Sequence, residues 1–176
     1  MKRAESDVEL VWRAFELRPE PHPALHPRGE YLTRVWDSSV YPLAERLGVT
    51  MRMPPVQPRS RLGHEAAHWA RSLGRFDDYN AAVFRAFFER GEDIGKVDVL
   101  VKLAGALRLD GSSLRAALES REFEPGVIAD ERLAAELGVS SVPAFVADRR
   151  LALTGVQPLE GLREMVGRAR SVKQQR

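Results

Sequence analysis

From Gly29 to about Ser120 the apolar residues recur at helical spacing, yet segments before and after this block are patterned as strands. A chain built this way cannot be a plain bundle or a plain sandwich. The order strand, helices, then helix, strand, strand and helix points to the α/β class. Before the block, Val8, Leu10, Trp12 and Ala14 alternate, which predicts a strand over 8–17. Pro19, Pro21, Pro23 and Pro27 follow and forbid helix or central strand, leaving an extended connector. Within the block the spacing predicts helices over 31–47, 61–73, 77–90, 97–107 and 112–120. Gly48, Gly74 and Gly91 act as stops, and Asp110 or Ser112 as a possible cap for the last helix. After it come a helix over 127–137 ending at Gly138, strands over 144–147 and 151–154 joined by a turn at 148–150, and a final helix over 159–169. The polar stretch 171–176 is expected to fray.

Composition narrows the class. In 176 residues, 27 Lys and Arg stand against 25 Asp and Glu, a net charge of +2, with the two signs interspersed along the chain. That is a solvated surface with no phosphate track, so nucleic acid is not an expected partner. No apolar run is long enough to span a bilayer, and residues 1–7 have no apolar stretch behind their basic start, so neither membrane nor secretory targeting is expected and the protein is placed in the cytoplasm. The most restrictive count is zero cysteines, which removes disulfides, thiolate metal sites and any cysteine nucleophile from this polypeptide. No cofactor is expected.

One stretch matches a metal motif. His64-Glu65-Ala66-Ala67-His68 reads H-E-x-x-H, in which two histidines one helical turn apart bind zinc and the glutamate serves as general base. Glu89, with Asp93 four residues on, has a spacing suited to a third ligand and its supporting carboxylate. The helical wheel opposes this reading. With Leu62 at 0°, His64 and His68 fall at about 200° and 240°, opposite the apolar stripe of Leu62, Ala66, Trp69, Ala70 and Leu73, and so point to solvent. Glu89 shares the polar face of its own helix with Asp78 and Arg85, away from Tyr79, Val83, Phe84, Phe87 and Phe88. The zinc ligands His64, His68 and Glu89 are therefore not expected to converge.

The second stretch is Val142-Pro143 at the entrance to the strand over 144–147. A proline there, after a valine held extended, is a place where tertiary structure can lock a cis bond, although a plain strand-start proline is the simpler reading of these residues alone.

Four stretches, residues 12–19 (WRAFELRP), 84–94 (FRAFFERGEDI), 137–146 (LGVSSVPAFV) and 155–158 (GVQP), resemble in sequence and order the DsbA-like thioredoxin-fold family. The nearest branch is that of FrnE-type oxidoreductases, related to 2-hydroxychromene-2-carboxylate isomerases and kappa-class glutathione transferases. The resemblance implies a thioredoxin-like α/β fold carrying an all-helical insertion, divided as 1–27 and 126–176 for the thioredoxin-like parts and 28–125 for the insertion. It makes Val142 and Pro143 the cis-proline loop that faces the active site and docks substrate, an extended peptide or a thiol-containing molecule. The family's catalytic C-P-W-C motif, at the end of a first strand and followed by a long helix, has no counterpart here; the first strand and first helix are largely absent.

Three functions follow as alternatives: a thiol-disulfide oxidoreductase homologue, truncated and redox-inactive as written; a non-catalytic peptide- or protein-binding module on the same scaffold; and a zinc hydrolase using His64, His68 and Glu89 with Glu65 as base. In the fragment reading, 8–17 and the strand from Ala144 lack a common partner. The chain is then expected to aggregate, to form a homodimer by strand exchange, or to pair those two segments directly.

Overall fold

The computed structural model describes residues 8–174, the last three of them as backbone only. The chain divides into two compact units, Arg18–Ile128 and the described residues on either side of it, where the sequence places the insertion at 28–125.

The unit Arg18–Ile128 is all helical. It opens with α1 (Glu30–Val35) and α2 (Tyr41–Leu47), joined by a π-helical stretch at Trp36–Val40. One helix is predicted over 31–47, and the interruption is a correction with a local cause. Pro42 has no N–H to give to the carbonyl four residues back, so the backbone widens and the Tyr41 N–H reaches the Trp36 carbonyl five residues back. Gly48, at φ 63°, then ends α2 in the left-handed region that a glycine occupies without a Cβ clash.

Helices α3 (Arg61–Ser72), α4 (Phe76–Phe88), α5 (Val97–Ala106) and α6 (Gly111–Glu119) surround the core. Trp69, Tyr79, Leu100, Leu103, Leu114 and Leu118 fill it. The polar ends of its large aromatics are satisfied, as burial requires. The Tyr79 hydroxyl donates to the Leu100 carbonyl at 2.9 Å, and Trp69 Nε1 donates to Ser113 Oγ at 3.4 Å. Burial also holds the Tyr79 phenol well above its ordinary pKa.

Two wheel readings are corrected by this packing. On α3, His64 and His68, expected to point to solvent, are half-buried, and Gly63, Glu65 and Ala67 are buried along with Ala66, Trp69 and Ala70. On α4, Phe84 is 47% exposed while Phe87 and Phe88 are half-buried, because the inner contacts are made by Tyr79, Ala82, Val83 and Ala86.

Asp110 caps α6, accepting from the backbone N–H groups of Ser112 and Ser113 and from the Ser112 hydroxyl. These bonds to the charged form, with the Ser112 side chain first, hold its carboxyl below the usual range. A depressed folded pKa adds stability above the unfolded carboxylate pKa and loses it as pH falls through the folded one. Asp110→Ala should therefore lower the melting temperature at neutral pH, and the gap between variant and parent should close in acid. A gap of constant size across that range would show that the cap does not act through its charge.

The other unit holds most of α7 (Glu124–Glu136), the hairpin of β1 (Ala144–Ala147) and β2 (Leu151–Thr154), and α8 (Leu159–Gln174). The hairpin register pairs Ala144 with Thr154, Phe145 with Leu153, Val146 with Ala152 and Ala147 with Leu151. Met165 and Ala169 supply the buried face of α8.

Residues 8–17 are not a strand, which corrects the reading of their alternation. Period-2 patterning specifies an extended, half-buried segment, but a strand also needs a partner, and among the described residues the only sheet is β1 with β2. Of the alternating residues Ala14 is buried while Leu10 and Trp12 are exposed, and the Ala14 N–H bonds to the Asp130 carboxylate in place of a ladder. Direct pairing of this segment with β1 does not occur. The expected fraying from 171 is also corrected, since α8 continues to Gln174; residues 1–7 and 175–176 lie outside the described part.

Candidate functional site

The region around Pro143 is positioned by two chain reversals. Gly138, at φ 69°, ends α7, and the amides of Gly138 and Val139 close back on Ala135 and Ala134 at 3.1 and 2.8 Å. Val139–Pro143 then lead into β1 through a cis Val142–Pro143 peptide; Glu20–Pro21 is cis as well. The Pro143 carbonyl accepts from the Gly155 amide at 2.8 Å, extending the ladder one pair beyond Ala144 and Thr154. The loop after β2 is braced by the Gln157 side-chain amide, which donates to the carbonyls of Thr154 and Gly155. Val142, 43% exposed, and the exposed Val156 and Leu159 lie along this stretch.

That Pro143 bond fixes which way the β1 backbone faces. In an antiparallel ladder, residues alternate between those whose N–H and C=O both face the partner and those whose groups face away. Pro143 pairs with Gly155, so Phe145 and Ala147 face β2, while the N–H and C=O of Ala144 and Val146 face the opposite edge. No described strand lies on that edge. It presents two donors and two acceptors in line.

The residues of the H-E-x-x-H match stand in the helical unit and are engaged otherwise. Glu65 is 0% exposed and pairs with Arg121 at 3.0 Å. Arg121, at φ 57° in the turn after α6, also bonds Glu124 in the first turn of α7 at 2.7 Å. Glu124 is held below its ordinary pKa by Arg121 first and by the nearby Arg61. His68 packs against the start of α7, where a Cβ at Gly126 would come 3.1 Å from its Nδ1. Glu89 caps the end of α4, and Asp93 accepts from the Gly95 amide and pairs with Lys96. His64, His68 and Glu89 do not come together, and among the described residues no group of three or more His, Asp or Glu side chains is placed to hold a metal ion.

Two charged residues that organise these surroundings escaped the sequence reading. Arg121 follows a helix end with nothing to mark it as the partner of a buried acid. Asp130, 2% exposed, sits in a helix of weak amphipathicity and takes both the Arg13 guanidinium at 2.9 Å and the Ala14 amide at 3.0 Å. A carboxylate amid apolar helix neighbours was the available signal.

A helix, β-hairpin and closing helix, joined to a cluster of helices within the chain, define a thioredoxin-like α/β protein. The chain belongs to the DsbA-like thioredoxin-domain family, whose model matches residues 1–167. It is 38% identical over 144 residues to the uncharacterized protein YwbO of Bacillus subtilis, a match covering 80% of this chain and 72% of that protein. Among solved structures it is similar to a probable DsbA oxidoreductase of Streptomyces coelicolor, with a TM-score of 0.77 and 28% identity over 94% of this chain and 77% of the other. A Nitrosomonas europaea protein, provisionally assigned as a protein disulfide isomerase, shares the fold at a TM-score of 0.66 and 20% identity, covering 86% of this chain and 78% of that one. Among the described residues no helix is long and apolar enough to cross a membrane.

Proposed function

We propose that this chain is a peptide-docking member of the DsbA-like family, of the FrnE type, that binds an extended polypeptide segment along the outer edge of β1. The observation that carries this reading is the direction of the Ala144 and Val146 backbone groups, which point away from β2 toward an edge that no described strand covers. Such an edge binds extended chains through main-chain hydrogen bonds, while the side chains beside it set preference. Here Val142, exposed at the entrance to β1, favours an apolar segment. The Streptomyces relative supports an oxidoreductase origin. Thiol-disulfide exchange, however, proceeds through a mixed disulfide, and these 176 residues contain no cysteine to form one.

The test is titration of an apolar, proline-free decapeptide against the same peptide N-methylated at alternate residues. The plain peptide should bind and the methylated one should bind at least about tenfold more weakly, since it cannot donate to the edge. Equal binding of the two, or none by either, would remove the docking function. In the accompanying assay, the chain should reduce insulin disulfides no faster than a buffer blank. Turnover by protein freed of contaminating oxidoreductases would overturn the redox-inactive reading.

A further inference from the structure

Resting on the docking reading above, we infer that the open edge of β1 selects a segment with an apolar residue at every second position, and that those residues lie beside Phe145 and Ala147. Successive residues of a strand point to opposite faces, so the hairpin register sorts its side chains into two sets. Phe145 and Ala147 share one face with their partners Leu153 and Leu151, while Ala144 and Val146 share the other with Thr154 and Ala152. The two faces differ in cover. Every residue of the first is half-buried, whereas on the second Val146, Ala152 and Thr154 are exposed and only Ala144 is half-buried.

A segment added to β1 continues this alternation, because side chains directly across a ladder share a face. Its residues opposite Phe145 and Ala147 project onto the half-buried face. There Phe145 has Leu153 as its neighbour on β2 and no described strand on its other side, so an apolar side chain in that place removes further apolar surface from water. A charge set there would lose part of its hydration, and Phe145, Ala147, Leu151 and Leu153 have no side-chain polar group to offer in return. Residues opposite Ala144 and Val146 project onto the exposed face, where a charged side chain stays hydrated. A slip of one residue exchanges the two faces, so an alternating segment always has a register that fits. A segment whose apolar residues come in adjacent pairs has none that sets two of them beside Phe145 and Ala147 together.

Two dodecapeptides of one composition, valine and glutamate in equal number, test this on the full chain. In one the residues alternate, and in the other they stand in pairs of like kind. The alternating peptide should bind about tenfold more tightly. Val146→Lys places an ammonium on the exposed face, opposite a glutamate of the alternating peptide, and should raise the ratio between the two peptides by about threefold. General attraction to acidic peptides is common to both and cancels in that ratio. Equal binding of the two peptides by the parent chain would overturn the facial selection, as would a ratio that does not rise in Val146→Lys. So would failure of the alternating peptide to bind where the apolar decapeptide does; in each of these cases docking itself stands. If none of the three peptides binds, the docking reading fails and this inference fails with it.

Discussion

Arg121→Ala should lower stability by about 3 kcal/mol, seen as a fall in melting temperature of roughly 6–12 °C for a chain of this size. Glu65, on α3, is fully buried, and its 3.0 Å partner is Arg121 in the turn between α6 and α7. Taking one member from a buried ion pair leaves the other charge with its desolvation cost and without its main compensation. The figure sits at the low end of the usual range because the Arg121 side chain is 40% exposed, so solvent already screens part of the interaction. The control is Glu65→Leu with Arg121→Leu together. That pair of changes removes both charges and should cost less than Arg121→Ala alone, since an apolar pair needs no compensation. If the single variant melts with the parent, Glu65 draws its compensation from other neighbours and the Arg121 pair is incidental. If the double variant is the worse of the two, the charges serve the packing of α3 directly.

The same residues show where the sequence is legible and where it stops. Helices α3 to α6 and strands β1 and β2 follow from periodicity because each lies in a compact unit whose inner face is apolar, and the spacing records that face. Glu65 lies at the margin of the apolar stripe of α3, where a wheel does not decide between core and solvent. Its ion-pair partner Arg121 lies fifty-six positions later by residue number, and nothing local to either residue announces the other. The interruption before α2 had a visible cause in Pro42, yet the wheel has no term for a missing amide. Residues 8–17 mark a different limit. Alternation of side chains was read as a strand, but a ladder is a relation between two segments, and here a carboxylate on α7 occupies the Ala14 amide. The docking edge is the converse case. The residues themselves placed Val142 and Pro143 at the strand entrance and the resemblance gave them a substrate-docking role, whereas the direction of the β1 backbone required one observed bond, Gly155 to Pro143, to set the parity.

That parity makes a sharp distinction between two neighbouring prolines. Val146→Pro removes an N–H that faces the open edge and leaves every bond between β1 and β2 in place, so the melting temperature should change little. Proline is tolerated on an edge strand when its missing N–H is on the unpaired side. Binding of the apolar decapeptide should nevertheless fall by about tenfold, the equivalent of roughly 1.4 kcal/mol, through loss of one donor and the steric intrusion of the ring. Phe145→Pro, one residue earlier, removes a donor that faces Leu153 on β2. It should break the hairpin, lowering the melting temperature and abolishing binding together. Measuring both properties in both variants separates the edge from the fold. Binding that survives Val146→Pro at full strength would show that the peptide does not lie on β1. A collapse of stability in Val146→Pro alone would mean that the register, and with it the assignment of the open edge, is reversed.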